Sequence, residues 1–260
     1  MDRFWGQFLV MLQLSTSFLL RIAFWVVTVL LVGLASGQPP ALQQGQQRQA
    51  ASPSPAAKPS PSPDNQIVRP TSEPYTGGLS IFEDLKRAEN LQIDRVMDIL
   101  SLREGSAVAD IGAGSGWFTV RAAQRVGPQG LVYAVEINEE YVKHIKSRAE
   151  KESISNIRTI LGKEDDPLLP AASVDAILLL KTYHEFSKPL NMLRTMGKAL
   201  RKDGLLGIID RNGAGDDHGL GKDVVIKEAS RAGFSLMAEH DFVKPDNMDY
   251  FLVFRKTGAP

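Results

Sequence analysis

The run Val108-Ala109-Asp110-Ile111-Gly112-Ala113-Gly114-Ser115-Gly116 leaves few folds open to this chain. An apolar, β-rich segment enters a turn holding three glycines in five residues, and sequence of helical period follows from about Gly116. Glycine lets the backbone adopt positive φ and approach a ligand closely. The first N–H groups of the following helix form a positive dipole end. An anionic group is therefore expected at this turn. The plainer alternative is a tight strand-to-helix turn without a ligand, which does not call for so many glycines.

From that segment onward, short β-rich runs alternate with helical periods. Strands are expected at 107–111, 131–137, 157–161, 174–180 and 205–210. Several, such as VDAILLL and GLLGIID, are continuous apolar runs, as parallel strands covered on both faces require. Helices are expected from Gly116; from Asn138, a capping residue, with Val142, Ile145 and Ala149 on one face; after Pro189, with Leu190, Leu193, Met196 and Leu200 in step; and over 224–232, ending at Gly233. The alternation describes a doubly wound α/β sheet. Two last strands, 234–242 and 250–255, are joined by a connection too short for a parallel crossover, so they should be antiparallel.

Spacing narrows the ligand. The dinucleotide fingerprint G-x-G-x-x-G would need glycine at 117, where Trp117 stands, which disfavours a nicotinamide cofactor and an oxidoreductase. The pattern D-x-G-x-G-x-G instead resembles motif I of class I S-adenosylmethionine-dependent methyltransferases, and Lys181-Thr182-Tyr183-His184-Glu185-Phe186 resembles a segment of those acting on small molecules. The resemblance implies a mostly parallel seven-stranded sheet with an antiparallel last strand. It implies one or two N-terminal cap helices over 79–100. It also implies S-adenosylmethionine as cofactor, its methionine end held by Asp110 and by the turn of Gly112, Ala113, Gly114, Ser115 and Gly116.

Further site residues follow from the same resemblance. Glu136, closing the second strand, would accept the ribose hydroxyls; its plainer reading is a solvated strand-end charge. After the third strand, Gly162-Lys163-Glu164-Asp165-Asp166 stands where the family places an acid against adenine. Lysine occupies the usual acid position, and Asp165 is favoured over Glu164 and Asp166. Lys181-Thr182-Tyr183-His184-Glu185-Phe186 follows the fourth strand, where this fold faces the transferring methyl group. Lys181 is placed with the cofactor, His184 is the candidate base and Tyr183 a candidate to orient the acceptor, against the plainer reading of hydrogen-bonded pocket wall. Asp210 and Arg211 close the fifth strand in a similar way. In the loop 212–221, Asp216, Asp217 and His218 fit no standard metal spacing, so no metal is expected and the loop reads as solvated.

The N-terminal quarter belongs to no such fold. The run IAFWVVTVLLVGL at 22–34 is uncharged, preceded by Arg3 and Arg21 and followed by Ala35-Ser36-Gly37, which reads as an export signal over 1–37. As a helix it would reach only ~20 Å at 1.5 Å per residue, short of the ~30 Å hydrocarbon layer, so cleavage is favoured over anchoring. Gln38 onward is rich in Gln, Pro, Ala and Ser and should be a disordered linker to residue 72, leaving 73–260 as the folded domain with 73–104 as its helical cap. Export would place the domain away from the cytosolic supply of the cofactor, which keeps a non-catalytic binding module on a tether as the rival reading. Lys plus Arg and Asp plus Glu number 30 each. No overall field attracts nucleic acid, so a small-molecule acceptor is expected, with membrane contact confined to the N-terminal segment. The absence of Cys excludes thiolate metal sites and a Cys nucleophile.

Overall fold

The computed structural model describes residues 67–71 and 75–257. The expected signal or anchor and most of the linker lie outside the described residues, among which no helix is long and apolar enough to cross a membrane.

Seven strands form one sheet in the order β3-β2-β1-β4-β5-β7-β6. They are β1 (Ala107–Ile111), β2 (Leu131–Glu136), β3 (Ile157–Leu161), β4 (Val174–Leu180), β5 (Leu200–Asp210), β6 (Phe234–His240) and β7 (Tyr250–Lys256). The first five pair in parallel, and β7 runs antiparallel to both β5 and β6. The connection between β6 and β7 is too short to return the chain to the starting edge, which forces that reversal.

Alternate residues of each central strand feed two cores. Ala107, Ala109 and Ile111 of β1 join one core with Ile177 and Leu179 of β4, together with Met192, Leu193 and Met196 of α5 (Pro189–Ala199) and Val225 and Ala229 of α6 (Lys222–Arg231). Val108 joins the other with Ala176 and Leu178, with Trp117, Phe118 and Ala122 of α3 (Trp117–Val126), and with Val96 and Met97 of α2 (Ile93–Ile99). Each Val, Leu, Ile, Met or Phe side chain among them stabilises the fold by roughly 1.5–3 kcal/mol when fully buried. Truncating one to Ala costs roughly 2–5 kcal/mol, because a cavity is added to the lost transfer energy.

Two local expectations shift. Asn138 caps α4 (Glu139–Lys151) as anticipated, its Oδ1 accepting from the Glu140 N–H at 2.9 Å. The buried face, however, is Tyr141, Ile145 and Ala149, with Val142 turned partly outward. Leu200 leaves the helical face and opens β5 by pairing with Val174, ahead of a register irregularity in the β4–β5 ladder. The cap comprises a 3-10 turn at Leu79–Phe82, a single helical turn α1 (Arg87–Asn90) and α2.

The cap is fastened by charge as well as by packing. Glu83 accepts from the Ser115 hydroxyl and from Arg148, each at 2.6 Å, and the Tyr141 hydroxyl donates to the carbonyl of Gly77 at 2.9 Å. Burial works to raise the Glu83 pKa, but the Ser115 and Arg148 hydrogen bonds outweigh it and hold the carboxyl below its usual range. The cap therefore closes over the carboxyl ends of β1 and β2, where ligands bind in open α/β sheets.

Candidate active site

The glycine turn leads from β1 into α3 with Gly112, Gly114 and Gly116 all at positive φ, of 71°, 55° and 76°. At Gly112 a Cβ would overlap the Thr182 side chain, so the bare backbone there is what allows the β4 loop to approach. At Gly114 a Cβ would meet only the Phe82 ring, at 3.6 Å, leaving the turn open towards the cap. Gly116 serves packing instead. It lies against Ile145 of α4 and does not line the cleft, so its expected place at the cofactor changes to one of holding α3 and α4 together.

Glu136 ends β2 with its carboxylate at the floor of the cleft. Its Oε2 accepts from the Gly114 N–H at 3.0 Å, and its Oε1 accepts from the N–H groups of Ile137 and Asn138 at 2.8 and 3.2 Å. The anion found at the turn is thus supplied by the protein itself. Three hydrogen bonds fix the carboxylate, and with about four lone-pair sites it retains capacity for a further donor. Asp110, buried beside it, accepts from the Thr119 hydroxyl at 2.6 Å. Burial pushes the Asp110 carboxyl up to about 7, with the Glu136 charge adding to the rise and Thr119 and Arg87 opposing it.

These groups line one cavity of about 730 Å³. Asp110, Gly112, Ala113, Gly114, Ser115 and Glu136 line one part of it, and Lys181, Thr182, His184 and Glu185, from the loop after the neighbouring strand β4, line another. On the other side of β2, the loop after the edge strand β3 presents Lys163, Glu164 and Pro167. Asp165 instead points to Lys188, 3.4 Å away, and does not line the cleft. Of the acids expected to face adenine in that loop, Glu164 and not Asp165 lines the cleft.

After β4, Lys181 takes a left-handed φ of 58°, and its N–H donates to the carbonyl of Ile209 at 2.8 Å. That bend starts a 3-10 turn, Tyr183–Glu185, which sends neighbouring side chains in opposite directions. His184 faces the cleft, and its Nδ1 lies 2.9 and 3.0 Å from the carboxylate oxygens of Asp210, which is completely buried. With Nδ1–H donating to that carboxylate, the Nε2 lone pair is the one offered to the cleft. Tyr183 faces the core. Its hydroxyl donates to Glu228 at 2.7 Å, and burial followed by the Glu228 charge raises its pKa well above the phenol range. The acceptor-orienting place expected for Tyr183 is therefore not where its side chain lies.

Two contributions were not legible in the sequence. Arg69, within the expected linker, donates from one guanidinium nitrogen to both carboxylate oxygens of Glu228 at 2.6 and 2.7 Å and from another to the carbonyl of Tyr183 at 3.0 Å, and it lies over the Tyr183 ring. Residues 67–71 thus pack onto the domain, and Thr71 lines the cleft. The expected linker overlaps the folded unit there. Asp210 gave only the weak signal of an acid at the end of an apolar strand, and its pairing with His184 required the β4–β5 register.

Residues 102–238 match the family model described as a methyltransferase domain, more than half of the chain. The chain belongs to the methyltransferase-domain family. Nocamycin O-methyltransferase of Saccharothrix syringae is 30% identical over 114 residues, 44% of this chain and 41% of that protein. Protein-L-isoaspartate O-methyltransferase of Pyrococcus horikoshii is 32% identical over 106 residues, 40% of this chain and 47% of that protein. The methyltransferase chain thus spans less than half the length of these curated relatives. Among solved structures, a SAM-dependent methyltransferase from Aquifex aeolicus superposes with a TM-score of 0.62 at 24% identity, over 68% of this chain and 95% of that one. The [4+2]-cyclase SpnF superposes with a TM-score of 0.56 at 16% identity, over 66% and 82%. At these identities the likeness establishes the fold, and a cyclase on the same fold shows that the site must be read for itself.

S-adenosylmethionine is the cofactor that the family implies, and the residues present fit it. Two glycines without side chains flank the cleft, a fixed carboxylate at Glu136 suits a diol, and buried Asp110 suits an ammonium. The cavity volume falls within the range of roughly 300–1,000 Å³ usual for such ligands.

Proposed function

We propose that this domain transfers a methyl group from S-adenosylmethionine to an oxygen atom of a small-molecule acceptor. The observation that carries the reading is the continuity of one cleft from Asp110, the glycine turn and Glu136 to the His184–Asp210 pair. The cofactor, when bound, supplies a methyl group on a positively charged sulfur, whose transfer makes one acceptor–carbon bond, breaks one sulfur–carbon bond and leaves a neutral thioether. Glu136 binds the ribose hydroxyls, Asp110 the ammonium, and Glu164 lies on the adenine side. Thr182, His184 and Glu185, beside the turn on the next strand's loop, orient the acceptor. Nε2 of His184 accepts the acceptor's hydrogen bond and can take its proton, with Asp210 fixing the ring. Phe82 and the cap exclude water, which matters because an in-line displacement is accelerated mainly by alignment and dehydration.

Oxygen as the acceptor atom is supported by the names of the relatives, nocamycin O-methyltransferase and protein-L-isoaspartate O-methyltransferase among them. A small molecule, as in the 27-O-demethylrifamycin SV methyltransferase of Amycolatopsis mediterranei, suits the balanced charge, which gives nucleic acid no footing. The test is thermal unfolding with S-adenosylmethionine, S-adenosylhomocysteine and NAD in parallel. The first two should raise the melting temperature, by about 2.7 kcal/mol of stabilisation at a hundred times Kd. No response to either at millimolar concentration would remove the reading.

A further inference from the structure

The loop 212–221 carries His218 back over the 3-10 turn after β4. The ring of His218 packs edge-on against that of His184, with centroids 6.0 Å apart, and Glu185 Oε1 lies 3.9 Å from His184 Nε2. One nitrogen from each histidine and one oxygen of Glu185 all fall within 4.8 Å of one another, at the acceptor side of the cleft that all three residues line. No pattern along the sequence brings these together, because they come from two loops held side by side by the parallel β4–β5 ladder.

We infer that His184, Glu185 and His218 form a binding site for a divalent transition cation of the zinc type. Two imidazoles and one carboxylate are a recurrent donor set for such ions, and three protein ligands with a fourth position open are the arrangement of catalytic sites. An independent feature supports it. Histidines that ligate metals almost always give their other ring N–H to a carboxylate, which fixes the tautomer and aims the free lone pair. Asp210, completely buried, holds His184 Nδ1 at 2.9 Å in that way. Donors at ~2.1 Å around a four-coordinate ion stand about 3.4 Å apart, so the atoms that now lie up to 4.8 Å from one another must draw in by as much as about 1.4 Å. His218, the exposed member, has room to do so. Lys181 is the nearby cation that the ion must tolerate.

The inference rests on the proposed reaction and narrows its acceptor. The open position faces the acceptor, so the ion would take an acceptor oxygen as its fourth ligand. The preferred acceptor then carries a hydroxyl or enol oxygen able to bind a metal. In the ion-loaded protein the Nε2 lone pair is engaged, and the proton leaves the coordinated oxygen for solvent.

The experiment is titration calorimetry of the full chain, first treated with a chelator, against Zn²⁺ alone and, separately, against S-adenosylmethionine. One Zn²⁺ per chain is expected. His218→Ala, at an exposed position that leaves the core untouched, should weaken Zn²⁺ binding at least about 100-fold, and His144→Ala should change nothing. Asp210→Asn, which acts through His184, should cost about 10–100-fold in metal affinity. Absence of Zn²⁺ binding, or equal binding by His218→Ala, overturns the site. Loss of the S-adenosylmethionine signal would instead overturn the proposed function, so the two failures are distinguishable.

Discussion

The Thr119 hydroxyl donates to Asp110 Oδ2 at 2.6 Å, joining the first turn of α3 to the end of β1 in the buried wall behind the cleft. Burial nevertheless lifts the Asp110 carboxyl to about 7, so much of it is protonated near neutrality. A ligand ammonium beside it favours the ionised form. Binding of S-adenosylmethionine at pH 6 should therefore release a proton, and affinity should rise with pH up to about 7. Calorimetry in buffers of different ionisation enthalpy checks this. Asp110→Asn should abolish the proton release. Because the folded pKa exceeds the unfolded one, the stability linked to this group is fully present below about pH 4 and is lost as pH climbs through 7. Its slope is at most about 1.4 kcal/mol per pH unit. In Asp110→Asn this slope should disappear from the unfolding free energy measured between pH 4 and 7.

Gly114 sits at φ 55° with only Phe82 near its missing side chain. Gly114→Arg should pay roughly 1–2 kcal/mol for the left-handed backbone, remain folded, and lose S-adenosylmethionine binding by more than about 100-fold as the new side chain fills the cleft. Circular dichroism together with calorimetry reads both halves of the expectation. Unchanged affinity would mean that the cofactor does not pass this turn.

Much of the scaffold was readable because its residues obey local rules. The glycine turn, the capping Asn138 and the apolar β4 run each announce their own conformation, and the short link before β7 dictates its direction. The same holds for Glu136, whose place at the strand end fixes where its carboxylate goes. Side-chain direction inside a tight turn is another matter. Tyr183 and His184 are adjacent and chemically similar as candidates, and only the left-handed bend at Lys181 decides that one faces the core and the other the cleft. Asp165 and Glu164 were separated by a comparable detail, the small turn closed by Lys163 and Asp166. Arg69 carried no signal, since a basic residue in a Pro-rich stretch reads as solvated until its buried partner on α6 is known.

That partner makes Arg69 a test of the domain boundary. Glu228 is 3% exposed and meets Arg69 with both carboxylate oxygens. Removing one member of a buried pair leaves the other uncompensated, at a cost of about 3–5 kcal/mol. Arg69→Ala should lower the unfolding free energy by an amount of that order in urea titration. A chain beginning at residue 73 should be destabilised similarly, whereas one beginning at 67 should not. Equal stability of the 67 and 73 chains would show that the segment contributes nothing to the fold.

Tyr183 and Glu228 allow the two roles within one turn to be separated. Tyr183→Phe keeps the ring under Arg69 but removes the donor to Glu228, leaving a buried carboxylate oxygen short of one hydrogen bond, at a cost of about 1–3 kcal/mol. Because that hydroxyl points away from the cleft, affinity for S-adenosylmethionine should be unchanged. Glu228→Gln still offers an acceptor to Tyr183 yet weakens the pairing with Arg69. The double variant should therefore cost less than the sum of the single ones, by about 0.5–3 kcal/mol, as expected for residues in one network. Additive losses would mean that Tyr183 and Glu228 act independently. A fall in cofactor affinity in Tyr183→Phe alone would return Tyr183 to the cleft wall, where the sequence had placed it.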